Sequence, residues 1–159
     1  MAEFAGAPRG ENRRVAVVAS RFNSEVTRKL ADGAMSALVE RGVAAADIDL
    51  VWVPGAWELP LALRASLAVD TYEVVVVVGA LIRGETPNFD HLSSAVAQAL
   101  AQITADSEIP VGYALLTCDT DEQAEARAVP GDANKGREAA LAALEMADLL
   151  DRLRPLDED

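Results

Sequence analysis

Short valine-rich runs that alternate with helical segments constrain the fold of this chain most strongly. Residues 15–20 read VAVVAS, and residues 74–78 are five consecutive valines. Continuous apolar runs of this length are typical of strands buried on both faces, and β-branched residues favour strands. A strand buried on both faces needs helices above and below it. The runs therefore predict a parallel sheet between two helical layers.

The segments between the runs carry helical periodicity, capping residues and Gly or Pro breaks. The predicted order is strand 15–20, helix 23–42, strand 47–53, helix 58–68, strand 73–78, helix 88–105, strand 111–117, a short helix to 128 and helix 137–153. This order predicts a doubly wound, flavodoxin-like α/β fold: a three-layer αβα sandwich with a four-stranded parallel sheet. Residues 1–13 are interpreted as a mobile arm or an N-terminal edge strand, residues 14–154 as a single domain and residues 155–159 as an acidic tail.

Composition excludes several classes of protein. The 159 residues carry a net charge of −12, which disfavours a nucleic-acid or anionic-membrane surface. The longest apolar run, residues 74–82, is far shorter than the roughly 20 residues of a membrane span. One cysteine, Cys118, and one histidine, His91, exclude a disulfide framework and any metal site built from several such residues. No secretory signal precedes the first strand, so a cytoplasmic location is expected.

Residues that follow the strands deserve inspection, because ligands bind beyond the carboxyl ends of parallel strands. Phe22 either stacks on a planar ring or packs as a hydrophobic staple. Glu58 either binds hydroxyl and amide groups or complements a helix N-terminus. Thr86 precedes a helix start, where free N–H groups favour an anion such as phosphate. His91, near the same helix start, is interpreted as a surface or capping residue.

A second group of charged residues lies between the last strand and the last helix. Arg127 and Lys135 are suited to clamping a phosphate, and the alternative is a solvated salt bridge to Glu138. No phosphate loop, no glycine-rich dinucleotide motif and no serine nucleophile elbow is present in the sequence. The wide apolar belt of the last helix indicates packing on the sheet or an oligomer contact.

Taken in order, the motifs at the strand ends resemble those of bacterial 6,7-dimethyl-8-ribityllumazine synthases, enzymes of riboflavin biosynthesis. The resemblance extends over residues 15–153 and rests on these segments: ASRFN at 19–23, VPGAWELP at 53–60, GALIRGETP at 79–87, LT at 116–117, TDEQA at 120–124 and NKGREAA at 134–140. It implies condensation of 5-amino-6-(D-ribitylamino)uracil with 3,4-dihydroxy-2-butanone 4-phosphate, with no metal or redox cofactor.

The resemblance also implies roles for individual residues. Phe22 would stack on the pyrimidine, the segment Ala56, Trp57 and Glu58 would hold the ribityl chain and ring edge, and the segment Ala80, Leu81 and Ile82 would contact the ring through the main chain. The phosphate would be bound by Glu85 and Thr86 through backbone donors and by Arg127 through its side chain. Tyr113 would line the site of a neighbouring subunit, and Lys135 with Glu138 would form the charged pair behind the phosphate.

One position departs from the family pattern. Where the family has a histidine that transfers protons, this chain has Asn88. An amide hydrogen-bonds to a substrate but does not exchange a proton near neutral pH. His91, three residues further on, is the candidate substitute base, and its alternative interpretation is structural. The expectation is a slowed enzyme, since holding two reactive substrates together supplies much of the rate enhancement.

Assembly and competing functions follow from the same resemblance. It implies a homo-oligomer, a pentamer that the short turn between Arg127 and Lys135 permits to build a 60-subunit icosahedral shell, and riboflavin synthase as a candidate partner. The main alternative is a non-catalytic relative that binds lumazine or flavin or forms a shell; Asn88 favours it. A third is a small-molecule binder on a generic flavodoxin-like fold.

Overall fold

The computed structural model describes residues 1–154 and contains four strands and five α-helices within them. The strands are β1 Val15–Ser20, β2 Ile48–Val53, β3 Val74–Ile82 and β4 Val111–Cys118. The helices are α1 Ser24–Glu40, α2 Leu59–Ala68, α3 Asn88–Ser107, α4 Asp121–Ala126 and α5 Lys135–Leu153. The predicted acidic tail, residues 155–159, lies outside the described residues.

The four strands form one parallel sheet in the order β2-β1-β3-β4. Val15 of β1 is in register with Ile48 of β2 and with Val74 of β3, so the strands begin at one edge and end together at the other. All six residues of β1 are buried, as the valine-rich run predicts. The three-layer αβα fold with a four-stranded parallel sheet is confirmed.

Alternate residues along the strands build two separate cores, because successive side chains of a strand point to opposite faces of the sheet. One core joins Val15, Val17 and Val76 to α1, α4 and α5. The other joins Val18 and Val77 to α2 and α3. Each helical layer therefore packs on its own face of the sheet.

β3 is longer than predicted. The expectation ended it at Val78, with Gly79 and Ala80 closing the strand and a loop beginning at Leu81, but the strand continues to Ile82 beside β4. A Cβ at position 79 would lie 2.8 Å from a methyl carbon of Leu115 and 3.0 Å from one of Leu59. Gly79 thus makes room for close packing inside the sheet and does not form a turn. The extension carries residues 80–82 to the carboxyl edge.

The N-terminal arm adds no strand to the sheet. The Ala7 amide donates to Asp148 Oδ2 of α5 at 2.8 Å, and the Gly10 amide donates to the Arg41 carbonyl at 2.9 Å. The expectation of an edge strand is corrected: the arm contacts α5 and the end of α1 through Ala7 and Gly10 without strand pairing. None of the helices within residues 1–154 is both long and apolar enough to cross a bilayer.

α5 begins at Lys135, two residues before the predicted start, because Asn134 caps it. The Asn134 side chain accepts from the Arg137 amide at 3.0 Å and donates to the carbonyls of Ala128 and Lys29 at 2.9 and 3.1 Å. The residue is 1% exposed. A Cβ at Gly136 would overlap the Leu30 carbonyl, so α1 and α5 touch at this point. One buried amide therefore joins α1, the segment after α4 and α5.

Candidate active site

A cleft of about 440 Å³ lies at the carboxyl edge of the sheet, on the side of α2 and α3. The segments that follow β1 and β2, the end of β3 and the first turns of α3 form its wall. It is lined by Phe22, Pro54, Gly55, Ala56, Trp57, Glu58, Ala80, Leu81, Ile82, Gly84, Thr86, Asn88, Phe89 and Leu92. Nine residues named from the sequence meet here: Phe22, Ala56, Trp57, Glu58, Ala80, Leu81, Ile82, Thr86 and Asn88.

Phe22 is held at the cleft by its backbone, with its ring left free. The Phe22 amide donates to the Pro54 carbonyl at 3.1 Å, and the preceding Arg21 amide donates to Val53 at 2.8 Å. The next residue, Asn23, has φ 63°, and its side-chain amide donates to the Ala80 carbonyl at 2.8 Å. Phe22 is 67% exposed. An exposed ring beside a cleft is placed to stack on a planar ligand and is not packed as a staple.

The residues after β2 turn tightly into α2. Ala56–Glu58 form one turn of 3-10 helix, and Pro60 stands in the first turn of α2, where its missing N–H costs nothing. Ala56 is buried, Glu58 is half-buried, and Trp57 is 68% exposed. The turn presents the Glu58 carboxylate and an indole ring to the cleft. Carboxylate oxygens accept hydrogen bonds from hydroxyl groups, as a polyol ligand requires.

The loop between β3 and α3 forms the opposite wall. Its residues 84–87 are exposed, and Thr86 and Asn88 reach the cleft, whereas Glu85 is not among the lining residues. Asn88 is the first residue of α3, an α-helix of 20 residues. Backbone N–H groups at such a helix start attract anions. The first turn therefore offers both an anion-binding end and a side-chain amide.

His91 does not reach this cleft. It is exposed, and its backbone amide donates to Pro87 at 3.3 Å. Phe89 and Leu92 line the cleft in its stead. Sequence reasoning missed these two; their spacing of three residues on one helix face was the signal that could have found them.

Four further residues named from the sequence lie outside the cleft. Tyr113 is 51% exposed and lines an apolar groove between α3 and β4. The Arg127 guanidinium donates to the Gln123 carbonyl at 2.9 Å, and Lys135 Nζ lies 2.9 Å from Glu138 Oε2. The salt-bridge alternative for Lys135 is thus the arrangement within one chain. Arg127 and Lys135 adjoin helices that pack on the opposite face of the sheet from the cleft.

Three titratable groups of this region have shifted pKa values, and the physical cause of each shift is simple. Burial raises the pKa of the Cys118 thiol, so this thiol stays protonated and is a poor nucleophile. Burial also raises the pKa of the Tyr113 phenol. Hydrogen bonds to Asp119 and Asp90 raise the pKa of the Arg83 guanidinium, which remains a cation. Across residues 1–154, no three His, Cys, Asp or Glu side chains are grouped to hold a metal ion.

The chain is similar to known proteins over nearly its whole length. A family model described as 6,7-dimethyl-8-ribityllumazine synthase matches residues 12–151. A protein of Gemmatimonas aurantiaca that bears this name is 56% identical over 158 residues, which cover 99% of this chain and 96% of the relative. One of Kosmotoga olearia with the same name is 44% identical over 149 residues, 94% of this chain and 96% of the relative.

Proposed function

The chain belongs to the 6,7-dimethyl-8-ribityllumazine synthase family, and from this we infer that it is the transferase of riboflavin biosynthesis that condenses 5-amino-6-(D-ribitylamino)uracil with 3,4-dihydroxy-2-butanone 4-phosphate. The observation that carries the assignment is the cleft, which collects Phe22, the 56–58 turn and the start of α3 at one edge of the sheet. Phe22 suits a planar ring, the Glu58 carboxylate suits a polyol chain, and the start of α3 suits a phosphate.

The chemistry needs positioning more than strong catalysis. The primary amine of the pyrimidine attacks the ketone and water leaves, which gives a Schiff base. Elimination expels phosphate, and the second amine closes the ring with loss of another water. Holding the two reactants together lowers the activation free energy of such a reaction by roughly 7–11 kcal/mol. Phe22 and Glu58 orient the pyrimidine and its ribityl chain, while the backbone at Glu85 and Thr86 receives the phosphate.

A second copy of the chain completes the site. Tyr113, Arg127, Lys135 and Glu138 lie outside the cleft of their own chain, yet the residues that line the cleft include no Lys or Arg side chain that could pair with a phosphate. We assign the Arg127 and Lys135 side chains to the cleft of a neighbouring subunit, with Tyr113 at its wall and Glu138 behind Lys135. The assembly is a homo-oligomer, with a pentamer as its unit and a 60-subunit shell as a further step. Riboflavin synthase is a candidate partner and the cytoplasm the expected location.

The reaction is tested by mixing both substrates with the protein and following lumazine absorbance and fluorescence above the uncatalysed background. We expect Glu58→Gln to lower kcat/KM roughly tenfold or more, since a hydrogen bond to a charged group contributes about 1.5–3 kcal/mol. Glu145→Gln, at an exposed position of α5, is the matched control and should leave the rate unchanged. Wild-type protein that does not exceed the background would reject the assignment.

The shared site is tested by complementation. Glu58→Ala removes a residue of the cleft itself, and Arg127→Ala removes one assigned to the neighbour. If neighbours share sites, oligomers assembled from a mixture of the two inactive variants contain some intact clefts and regain activity. Activity that remains at the level of the separate variants would place both residues in one chain's site.

The second candidate is a relative that binds lumazine or flavin without making it, and Asn88 is the observation that favours it. The same assay separates the two: such a protein binds lumazine, seen as a change in its fluorescence, while product forms at the background rate.

A further inference from the structure

The Arg83 side chain ties three segments together at the mouth of the cleft. Its Nε donates to Asp119 Oδ1 at 2.8 Å, and its Nη1 donates to Asp90 Oδ2 at 3.1 Å. The guanidinium carbon lies 4.5 Å from the centre of the Phe89 ring. Asp119 follows β4, while Phe89 and Asp90 belong to the first turn of α3. One planar group therefore connects the end of β3, the start of α4 and the start of α3.

The loop bridged by this side chain has little support of its own. Residues 84–87 are exposed, and they run from the end of β3 to the first turn of α3. At the start of the loop, the Arg83 amide donates to the Cys118 carbonyl at 2.9 Å. At its far end, Asp90 receives the Arg83 guanidinium. Arg83 thus fixes the distance between the two ends of the loop.

We propose that Arg83 is a positioning residue for the phosphate-bearing substrate: its bridge to Asp119 and Asp90 fixes the loop 84–87 and the Phe89 ring that borders the cleft. The inference rests on the proposed function, because the loop is where that function puts the phosphate. Lysine would not replace it, since a guanidinium offers a planar fork to two carboxylates and a face to an aromatic ring, whereas an ammonium is a point charge.

Loss of the Arg83 bridge should change the geometry of the loop and leave the free energy of unfolding nearly unchanged. The Arg83 side chain is 43% exposed, and exposed ion pairs add little to folding free energy. A loop that is no longer held in place, however, has to be ordered when the phosphate binds, and this ordering reduces the affinity. Loosening the loop should therefore weaken binding of one substrate and leave the fold intact.

A competing role for Arg83 is direct contact with the phosphate, and Asp119 distinguishes the two. If Arg83 acts through its bridge, Asp119→Asn replaces the carboxylate acceptor by a weaker neutral amide oxygen and so weakens phosphate-substrate binding, as Arg83→Met does. If Arg83 binds the phosphate itself, loss of the Asp119 charge frees the guanidinium and tightens binding. The two roles predict opposite changes for one conservative substitution.

The experiment measures KM for each substrate in wild type, Arg83→Met, Arg83→Lys and Asp119→Asn. Arg28→Met is the matched control, because Arg28 also stacks on an aromatic ring, with its guanidinium carbon 5.1 Å from the centre of the Trp52 ring, but away from the cleft. We expect KM for the butanone phosphate to rise about tenfold in the three site variants and KM for the pyrimidine to stay within about twofold. An unchanged or lower KM for the phosphate substrate in Asp119→Asn would overturn the proposal.

Hydrogen exchange of the amides at positions 83, 90 and 91, which flank the loop and donate to the carbonyls of Cys118 and Pro87, supplies a readout that needs no turnover. It should be faster in Arg83→Met and Asp119→Asn than in wild type, and unchanged in Arg28→Met. Exchange that is the same in all four proteins contradicts the bridge, whether or not the protein is active. An inactive wild type with a loosened loop in the variants would reject the proposed function alone.

Discussion

Asn88 is the residue at which we expect a substitution to change the rate of this enzyme most directly. It stands at the first position of α3 and lines the cleft, where an amide donates and accepts hydrogen bonds without transferring a proton. We expect Asn88→His to raise kcat by about tenfold or more, since general acid–base catalysis typically contributes about 10²–10⁴-fold. KM for both substrates should stay within a few-fold. Steady-state kinetics at several pH values provide the measurement.

Asn88→Ala is the companion variant. If the amide orients a substrate, this change raises KM while the histidine variant does not. A histidine variant with the wild-type kcat would show that proton transfer does not limit the reaction or that another group performs it.

His91 is the other imidazole candidate, and its position argues against a catalytic role. It is exposed on α3 and lies outside the cleft, whereas Leu92 and Phe89 face it. We expect His91→Ala to leave kcat and the pH profile of the rate unchanged. A step in the wild-type profile that is absent from the variant would identify His91 as a base.

Among the elements, the junction of α1 and α5 depends on Asn134. Its amide caps α5 and satisfies the carbonyls of Lys29 and Ala128 within the core. Asn134→Ala loses the cap and the side-chain donor to both carbonyls, so we expect a loss of roughly 1–3 kcal/mol in the free energy of unfolding. Urea denaturation, followed by circular dichroism, measures it. The change should also disturb Lys135, whose amide donates to the Arg127 carbonyl at 2.9 Å.

Thr120→Ala is the matched control, because Thr120 caps α4 in the same way. Its hydroxyl accepts from the Gln123 amide at 3.2 Å, but this cap is exposed and water replaces it when it is lost. We expect a smaller loss than for Asn134→Ala. Equal losses would show that the buried carbonyls of Lys29 and Ala128 contribute nothing.

The N-terminal arm is held by the Asp148 carboxylate, and protonation of this carboxylate at low pH should release the arm. The hydrogen bond from the Ala7 amide, with help from Arg152 and Arg9, holds the pKa of Asp148 below its usual value. A lowered folded-state pKa contributes stability above the ordinary value near about 3.9, and the contribution is lost as the pH falls from there through the folded pKa. Hydrogen exchange of the Ala7 amide, corrected for its intrinsic pH dependence, should accelerate in this window.

The Gly10 amide is an internal control for this prediction. It donates to the Arg41 carbonyl, which does not titrate, so its protection should persist until the domain itself unfolds. Asp148→Ala should abolish the pH step at Ala7. Parallel loss of both amides with pH would contradict a role for this carboxylate.

Strands and helices were predictable from the sequence because their signals are local. Apolar runs, capping residues and Gly or Pro breaks predicted all four strands and all five α-helices, although not every end of them. Gly79 misled the prediction for β3, since a glycine that makes room for Leu115 looks in the sequence like one that ends a strand. The arm could not be predicted, because its contact with Asp148 joins residues 141 positions apart.

The candidate site was predictable only in part, for a related reason. Residues that follow the strands converge wherever parallel strands end, so Phe22, Glu58 and Thr86 could be grouped in advance. Phe89 and Leu92 were missed because an apolar helix face looks the same whether it borders a core or a cleft. Arg127 and Lys135, which we propose to act in the cleft of a second copy of the chain, could not be placed in advance, because no pattern within one sequence reveals a neighbour.

At the scale of the whole molecule, assembly has to contend with charge. Each chain carries −12, so a pentamer carries −60 and a 60-subunit shell −720. Screening over about 8 Å at physiological ionic strength makes such totals tolerable only where the contacts themselves are apolar. The structure offers such surface: Leu61 is 74% exposed, and the groove between α3 and β4 is lined mainly by Ala, Leu and Val. These exposed apolar side chains, part of the 51% hydrophobic composition, would supply the contacts of such an assembly.

The groove between α3 and β4 gives the assembly a specific test, because it contains Tyr113, which we assign to a neighbouring cleft. Ala101 is exposed on its α3 side, and Ala101→Glu would bury a charge against the next subunit. We expect light scattering to show wild type at five or sixty times the chain mass of 16.8 kDa, and the variant at lower mass with little activity. Ala46→Glu, exposed at the opposite edge of the sheet, is the matched control and should retain both. If Ala101→Glu keeps the wild-type mass yet loses activity, the groove is not a contact between copies. If it loses both the assembly mass and the activity, while Ala46→Glu retains both, each cleft needs its neighbour.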